Sequence, residues 1–196
     1  MKIDYTVYYS GPLLFRTTIV DEDIKYIKSL FNSKSILKKD FRQSLAGYIK
    51  EEYQLDAEKL QPVLNKYLEV HRQAHKNWTE RDLHPLKINS CWVNKMKAGE
   101  FNPPHKHSNC LYSSVIFLDD VPKNIIAERK KYIGTHIGGP GSINFMFDIN
   151  KAPEFIAEKN HLPKKGDYFI FPASLYHYVF PYKSKWTRVS VAANYI

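Results

Sequence analysis

Asn102-Pro103-Pro104-His105-Lys106-His107-Ser108 places two imidazoles one residue apart. On a β-strand, residues i and i+2 share a face, so His105 and His107 can present both rings to one ion. His177 lies seventy residues on, inside Tyr176-His177-Tyr178, and is the natural third ligand from a distant strand. Three protein ligands on one face of an ion leave open positions for small reactants. Eleven residues after His177 comes Arg188-Val189-Ser190. Arg188 can grip a carboxylate through a two-pronged, charge-assisted pair, and Ser190, two residues along the same strand face, can add a hydroxyl donor. With eight histidines in the chain, an H-x-H pair also arises by chance, so its neighbours carry the argument: the Pro-Pro pair before it, the apolar run after it, and the aromatic and Arg-x-Ser strands downstream.

Other readings of these residues stay open. Cys110 makes His105-x-His107-x-x-Cys110, a partial zinc pattern that needs a fourth ligand. Asp119 or Asp120, at the end of the following strand, could supply a carboxylate in place of His107. His71 and His75 are spaced i, i+4 but stand on an apolar helical stripe, so packing is expected of them. The Gly-rich stretch 134–141 is followed by no Gly-Lys-Ser/Thr, which argues against a nucleotide loop. No Ser/His/Asp set or paired carboxylate stands out.

The elements that must position these groups change character near residue 86. Before it, runs 5–9 and 13–18 read as β, split by Ser10-Gly11-Pro12. Asp21 caps a helix with Ile24, Ile27 and Phe31 at helical spacing. A second helical pattern starts near Asp40 with Phe41, Leu45, Tyr48 and Ile49, weakened by Gly47. Asp56 opens a third, with a stripe from Leu60 to Trp78 and Pro62 expected near its first turn. After it come strands at about 87–97, 111–118, 142–147, 168–171, 176–180 and 186–195. Residues 123–140 read as an irregular insertion, and 153–159 are ambiguous. Helices followed by short strands, about eight in all, predict a single α+β domain over 1–196: helical support over about 20–80 and a jelly-roll core over about 86–196.

The bulk properties narrow the function. Hydrophobic content of 43% and charged content of 25% suit a soluble globular chain. No apolar run matches a membrane span or a signal peptide, and two cysteines, Cys91 and Cys110, make no disulfide framework, so a cytoplasmic protein is expected. The net charge of +9 allows an acidic partner such as nucleic acid, but the lysines are spread along the chain rather than gathered. Oligomeric state is not legible.

The segment from Trp92-Val93-Asn94 through Glu100-Phe101-Asn102-Pro103-Pro104-His105-Lys106-His107-Ser108 resembles the metal-binding core of the 2-oxoglutarate/Fe(II) oxygenases of marine bacteria and their phages, distant relatives of prolyl hydroxylases. Gly166 to Pro181 is similar to the strand–turn–strand that delivers the distal His, and Arg188-x-Ser190 to the cosubstrate clamp. The likeness covers about 86–196 well and the front half loosely. It implies a double-stranded β-helix, Fe(II) held by His105, His107 and His177, and 2-oxoglutarate and O₂ as co-reactants. Arg188 and Ser190 would bind the far carboxylate of 2-oxoglutarate, and Asn94 and Tyr112 its near end. Most such oxygenases carry His-x-Asp/Glu; the His-x-His here matches a variant subfamily and costs the site one anionic ligand. The expected activity is hydroxylation coupled to decarboxylation of 2-oxoglutarate to succinate, on an unidentified substrate selected by loop 123–140 and the helical front half. Two alternatives remain: a cupin-like three-His dioxygenase that needs no keto acid, and a non-catalytic jelly roll binding nucleic acid or protein through its basic surface.

Overall fold

In the computed structural model, residues 11–32, 34–132, 138–147 and 158–196 are described. The expected strand at 5–9 and most of the ambiguous 153–159 lie outside them. Strand β1 (Phe15–Thr18) and helix α1 (Asp21–Ser29) lead to β2 (Glu52–Gln54) and α2 (Ala57–Thr79). Then follow β3 (Ile88–Lys97), β4 (Asn102–His105), β5 (Tyr112–Phe117), α3 (Lys123–Lys130), β6 (Ile143–Met146), β7 (Glu158–His161), β8 (Asp167–Pro172), β9 (Tyr176–Val179) and β10 (Thr187–Tyr195). The strands form two antiparallel sheets, ordered β1-β8-β5-β10-β3-β2 and β4-β9-β6-β7. This is the double-stranded β-helix, braced by the N-terminal helices.

Period-two alternation divides the larger sheet into two faces. Cys91 and Val93 of β3, Ile116 of β5, Tyr168 and Ile170 of β8, and Val191, Ala193 and Tyr195 of β10 join one core cluster with Ile24 and Ile27 of α1 and Leu60, Leu64 and Leu68 of α2. The intervening residues Met96, Val115, Phe117, Phe169 and Phe171 face the smaller sheet and pack with Ile143, Phe145 and Val179. The strands that carry the site are thus held from behind by the helices and from the front by an aromatic core.

Asp56 caps α2 by accepting a hydrogen bond from the Glu58 amide (3.1 Å), and the apolar stripe is buried as far as His71. Pro62 is the sixth helical residue rather than a first-turn residue, so α2 forgoes one internal hydrogen bond. Between β7 and β8, Gly166 has φ +85°, and a Cβ there would meet the Ile19 carbonyl at 2.9 Å, so only glycine makes this turn unstrained. Asp167, 2% exposed on its side chain, then binds Arg16 (2.6 Å) and His161 (2.7 Å), tying β1 and β7 to the start of β8.

Two expectations are corrected. The second helix near Asp40 is a single 3₁₀ turn, Arg42–Ser44, followed by extended chain. Asp40 takes the Arg42 amide and guanidinium for itself, and Tyr48 bridges to Phe101 across a β-bridge. Local side-chain bonding and a strand partner outweigh the apolar periodicity there. The insertion 123–140 opens instead with helix α3, started after Pro122 and anchored by buried Ile125.

Candidate metal centre

Pro103 and Pro104 sit in β4, an edge strand of the smaller sheet, where a missing N–H is tolerated. β4 pairs with β9 so that His105 lies directly opposite His177. His107 arrives differently from expectation: it lies beyond the end of β4, and its amide donates to the Ala173 carbonyl (2.9 Å) in the β8–β9 turn. A backbone hydrogen bond, rather than strand alternation, aims its ring. Ligand atoms of His105, His107 and His177 fall within 4.8 Å of one another, and theirs is the sole group of this kind among the described residues.

The donor chemistry suits a metal. Nδ1 of His105 donates to the Pro103 carbonyl (2.7 Å) and Nδ1 of His177 to the Leu175 carbonyl (3.1 Å). A carbonyl only accepts, so each bond fixes the proton on Nδ1 and leaves Nε2 as a free lone pair. Nε2 of His107 is 3.3 Å from Nε2 of His177. Two nitrogens about 2.1 Å from one ion and at right angles to each other would be about 3.0 Å apart. Burial pushes all three imidazoles down, His107 to about 4 and His177 well below its ordinary value, with the neighbouring rings adding to the effect on both. The triad is therefore neutral and ligand-competent at pH 7.

A cavity of about 380 Å³ opens over this cluster. Alternation along β10 sends Arg188, Ser190, Ala192 and Asn194 into it; Asn94 stands opposite Ser190 on β3, and Trp92 opposite Ala192. Arg188 is 3% exposed, and its Nε and Nη1 have no hydrogen-bond partner. Its guanidinium lies 5.3 Å over the Phe117 ring, and burial lowers its pKa to about 10, so it remains a cation. A desolvated cation with two nitrogens lacking an acceptor, facing a cavity that also holds three neutral imidazoles, is suited to an anion.

Several expected residues lie elsewhere. Tyr112 faces the helices, edge-on to His71 at 5.0 Å; its neighbour Ser113 takes the cavity side, as alternation requires. Asp119 is paired with Lys28 (2.6 Å), and Asp120 accepts the Lys165 amide (2.9 Å), so neither carboxylate joins the triad. Cys110 is a free thiol outside the cluster. His71 is wholly buried among Phe15, Tyr112 and His75, the packing role expected of it. Sequence reasoning missed Glu52, Phe41, Gly47 and Asn102 as cavity-lining residues. Phe41 and Gly47 come from the segment read as helical, Glu52 follows it on β2, whose pairing with β3 turns it inward, and Asn102 opens β4 just ahead of the histidines.

The model of the family described as "Putative 2OG-Fe(II) oxygenase" matches residues 90–194, a little over half of the chain. The chain belongs to the 2OG-Fe(II) oxygenases. Fe(II), 2-oxoglutarate and O₂ are accordingly the cofactor and co-reactants of this oxygenase centre. No curated protein matches the sequence. Among solved structures, the oxygenase is similar to a prolyl-4-hydroxylase of Pseudomonas putida at 13% identity and TM-score 0.57, covering 93% of this chain and 91% of that one. It is also similar to the viral collagen prolyl hydroxylase of Paramecium bursaria chlorella virus 1, solved as a 2OG complex, at 12% identity and TM-score 0.57, covering 93% and 94%. HygX of Streptomyces hygroscopicus, solved with nickel and 2-oxoglutarate, matches at 12% identity and TM-score 0.56, covering 95% and 82%. At these identities the likeness is one of fold. Among the described residues no helix is long and apolar enough to cross a membrane.

Proposed function

We propose that this oxygenase hydroxylates an organic substrate, with His105, His107 and His177 as the iron ligands and Arg188 as the anchor for the far carboxylate of 2-oxoglutarate. The observation that carries the reading is the pairing, in one cavity, of three neutral converging imidazoles with a buried guanidinium that lacks an acceptor. Bound Fe(II) would supply activation of O₂, driven by decarboxylation of 2-oxoglutarate to succinate. The chain's own residues do the rest. The Pro103 and Leu175 carbonyls hold the protons of His105 and His177 on Nδ1. Arg188 supplies a fork-shaped charge for a carboxylate, with Ser190 two residues along the same face and Asn94 across from it. Phe171 and Phe145, with ring centroids 4.7 and 6.2 Å from that of His177, wall the centre from bulk water. No side-chain general base is required.

The test is anaerobic titration of Fe(II) and 2-oxoglutarate into the protein, followed by the weak visible charge-transfer band of the chelate. His177→Ala should abolish the band, and Arg188→Ala should weaken it at a given keto-acid concentration. Because the triad lacks a carboxylate, a three-His dioxygenase acting without keto acid is the competing reading; iron binding with no band would select it.

A further inference from the structure

The proposed chemistry leaves one feature of the cavity unused. Glu52, on the edge strand β2, is 1% exposed, and its Oε2 has no hydrogen-bond partner. Among the described residues that line the cavity it is the sole carboxylate. It pairs in register with Asn94, whose side-chain oxygen is likewise without a donor. Two unpartnered acceptors side by side on one wall call for a group rich in N–H donors. Next to them the rings of Phe41 and Trp92 stand 5.8 Å apart at 39°, and both line the cavity. Aromatic faces beside a carboxylate are the usual surroundings of an organic cation.

The electrostatics point the same way. Glu100 holds its own carboxylate with the amides of Lys50 and Lys97, and its charge bears on Glu52. Burial first, and Glu100 second, push Glu52 up to about 7, against the opposing charge of Arg42. Arg42 is itself committed to Asp40 at 2.6 Å. A cation entering here would therefore meet a carboxyl group that loses its proton readily once paired. Trp92 also touches His107, with ring centroids 5.9 Å apart, so the wall beside Glu52 adjoins the triad.

We propose that the Glu52 wall is the substrate subsite, and that it takes an alkylammonium group, seated on the Glu52 carboxylate beside the packed rings of Phe41 and Trp92. This rests on the reading of the cavity as an oxygenase site. It names the class of substrate: an aliphatic amine, free or on a side chain, whose carbon chain runs from Glu52 toward the three histidines.

The test uses metal-free, full-length protein and two matched pairs of probes: n-butylammonium against n-butanol, and N-acetyl-lysine amide against N-acetyl-norleucine amide. Binding is read by tryptophan fluorescence, and the Glu52 carboxyl by ¹³C chemical shift. Each ammonium probe should bind at least tenfold tighter than its isostere, and its saturation should lower the Glu52 midpoint by one pH unit or more. Glu52→Gln should erase the preference. Should that variant fold poorly, the ¹³C titration of the wild type decides alone. Equal binding of ammonium and isostere, no detectable binding of the ammonium probes, or an unmoved Glu52 midpoint overturns the proposal. The Fe(II)/2-oxoglutarate band on the same wild-type protein separates the two readings. A normal band without ammonium preference refutes only the amine subsite, and ammonium preference without a band refutes only the proposed roles of the triad and Arg188.

Discussion

Replacing Arg188 with Met should move stability and cosubstrate affinity in opposite directions. Without ligand, the fold holds a guanidinium that is 3% exposed, with two of its nitrogens lacking acceptors. It is still charged at neutral pH, since burial lowers its pKa only to about 10. Removing a buried charge in favour of an apolar side chain of similar volume is worth about 1–4 kcal/mol, as seen for buried ion pairs. Against this stands the contact with the Phe117 ring at 5.3 Å, a cation–π interaction of up to about 2 kcal/mol when desolvated. The balance favours Met by roughly 1 kcal/mol, a rise in Tm of about 2–4 °C for a domain of this size.

Affinity should fall steeply. Truncating one partner of a buried charge pair costs about 2–5 kcal/mol, which is roughly a 30- to 4,000-fold weaker Kd. The assay is thermal unfolding with and without 2-oxoglutarate, a redox-inert divalent metal being present in both arms, with calorimetric titration alongside. At 100 times its Kd the cosubstrate adds about 2.7 kcal/mol to the wild type, a shift of about 5–10 °C. The Met variant should keep at most about 0.9 kcal/mol of this at that concentration, a shift of about 2–3 °C for a 30-fold loss and none for the larger one. A variant that melts well below the wild type without ligand, yet still gains the full shift with it, would refute the reasoning: Arg188 would then be a structural cation satisfied within the fold.

Three further outcomes are expected. His71 has no partner at either ring nitrogen, and burial, with the His75 charge second, lowers its pKa to about 4 from 6.5. The unfolded chain therefore gains a proton that the folded one refuses as pH falls from 6.5 to 4. The stability is whole above pH 6.5 and declines by about 3 kcal/mol across that window. The difference in urea-unfolding free energy between wild type and His71→Phe should shift in the variant's favour by that amount between pH 6.5 and 4, and parallel curves would contradict it. Gly47→Ala places a Cβ 2.2 Å from Asn102 Oδ1 and 3.1 Å from Glu52 Oε1; overpacking of about 1–3 kcal/mol should appear in urea unfolding, together with a displaced Asn102 side-chain amide signal in NMR. Phe145 is wholly buried, with ring centroids 5.3 Å from Phe169 and 5.1 Å from Phe171. Phe145→Ala should cost about 3–5 kcal/mol in thermal unfolding and loosen the metal by opening the wall behind His177.

The C-terminal half was legible because two local signals reinforced each other there. Alternation put Arg188 and Ser190 on one face of β10, so they could be placed together before any partner strand was known, and the likeness to the cosubstrate clamp turned that face inward. The resemblance misplaced Tyr112, and alternation could not correct it, because it states that neighbours oppose each other but not which of them faces the cavity. Alternation reached His107 for the wrong reason, since the chain leaves β4 before that residue. The front half was harder. The segment from Asp40 to Ile49 has helical apolar spacing, yet its hydrogen bonds, and those of the strand after it, go to Asp40, Phe101 and β3, partners that only the folded chain supplies. Glu52 was invisible for that reason: beside Glu51 it resembles part of a solvated charged face, and only pairing with Asn94 turns it inward.

The charge inventory of the cavity ties these parts together. Neutral His107 stands where a carboxylate is usual, so the metal position carries one more positive charge than a triad with a carboxylate would leave it. Arg188 adds a second buried cation, and Glu52, with its proton poised to leave near pH 7, is the sole acid lining the described cavity. Such a site suits a dianion lying between the triad and Arg188, with its two negative ends matching the two positive ones. Once that dianion is seated, the remaining polar wall is the one at Glu52, and its sign is reversed. A dianion and a cation would thus sit side by side on one sheet face, with Asn94 between them, each held by groups that lack partners in the free fold. Because Arg188 and Glu52 are both buried, salt should screen either interaction only weakly.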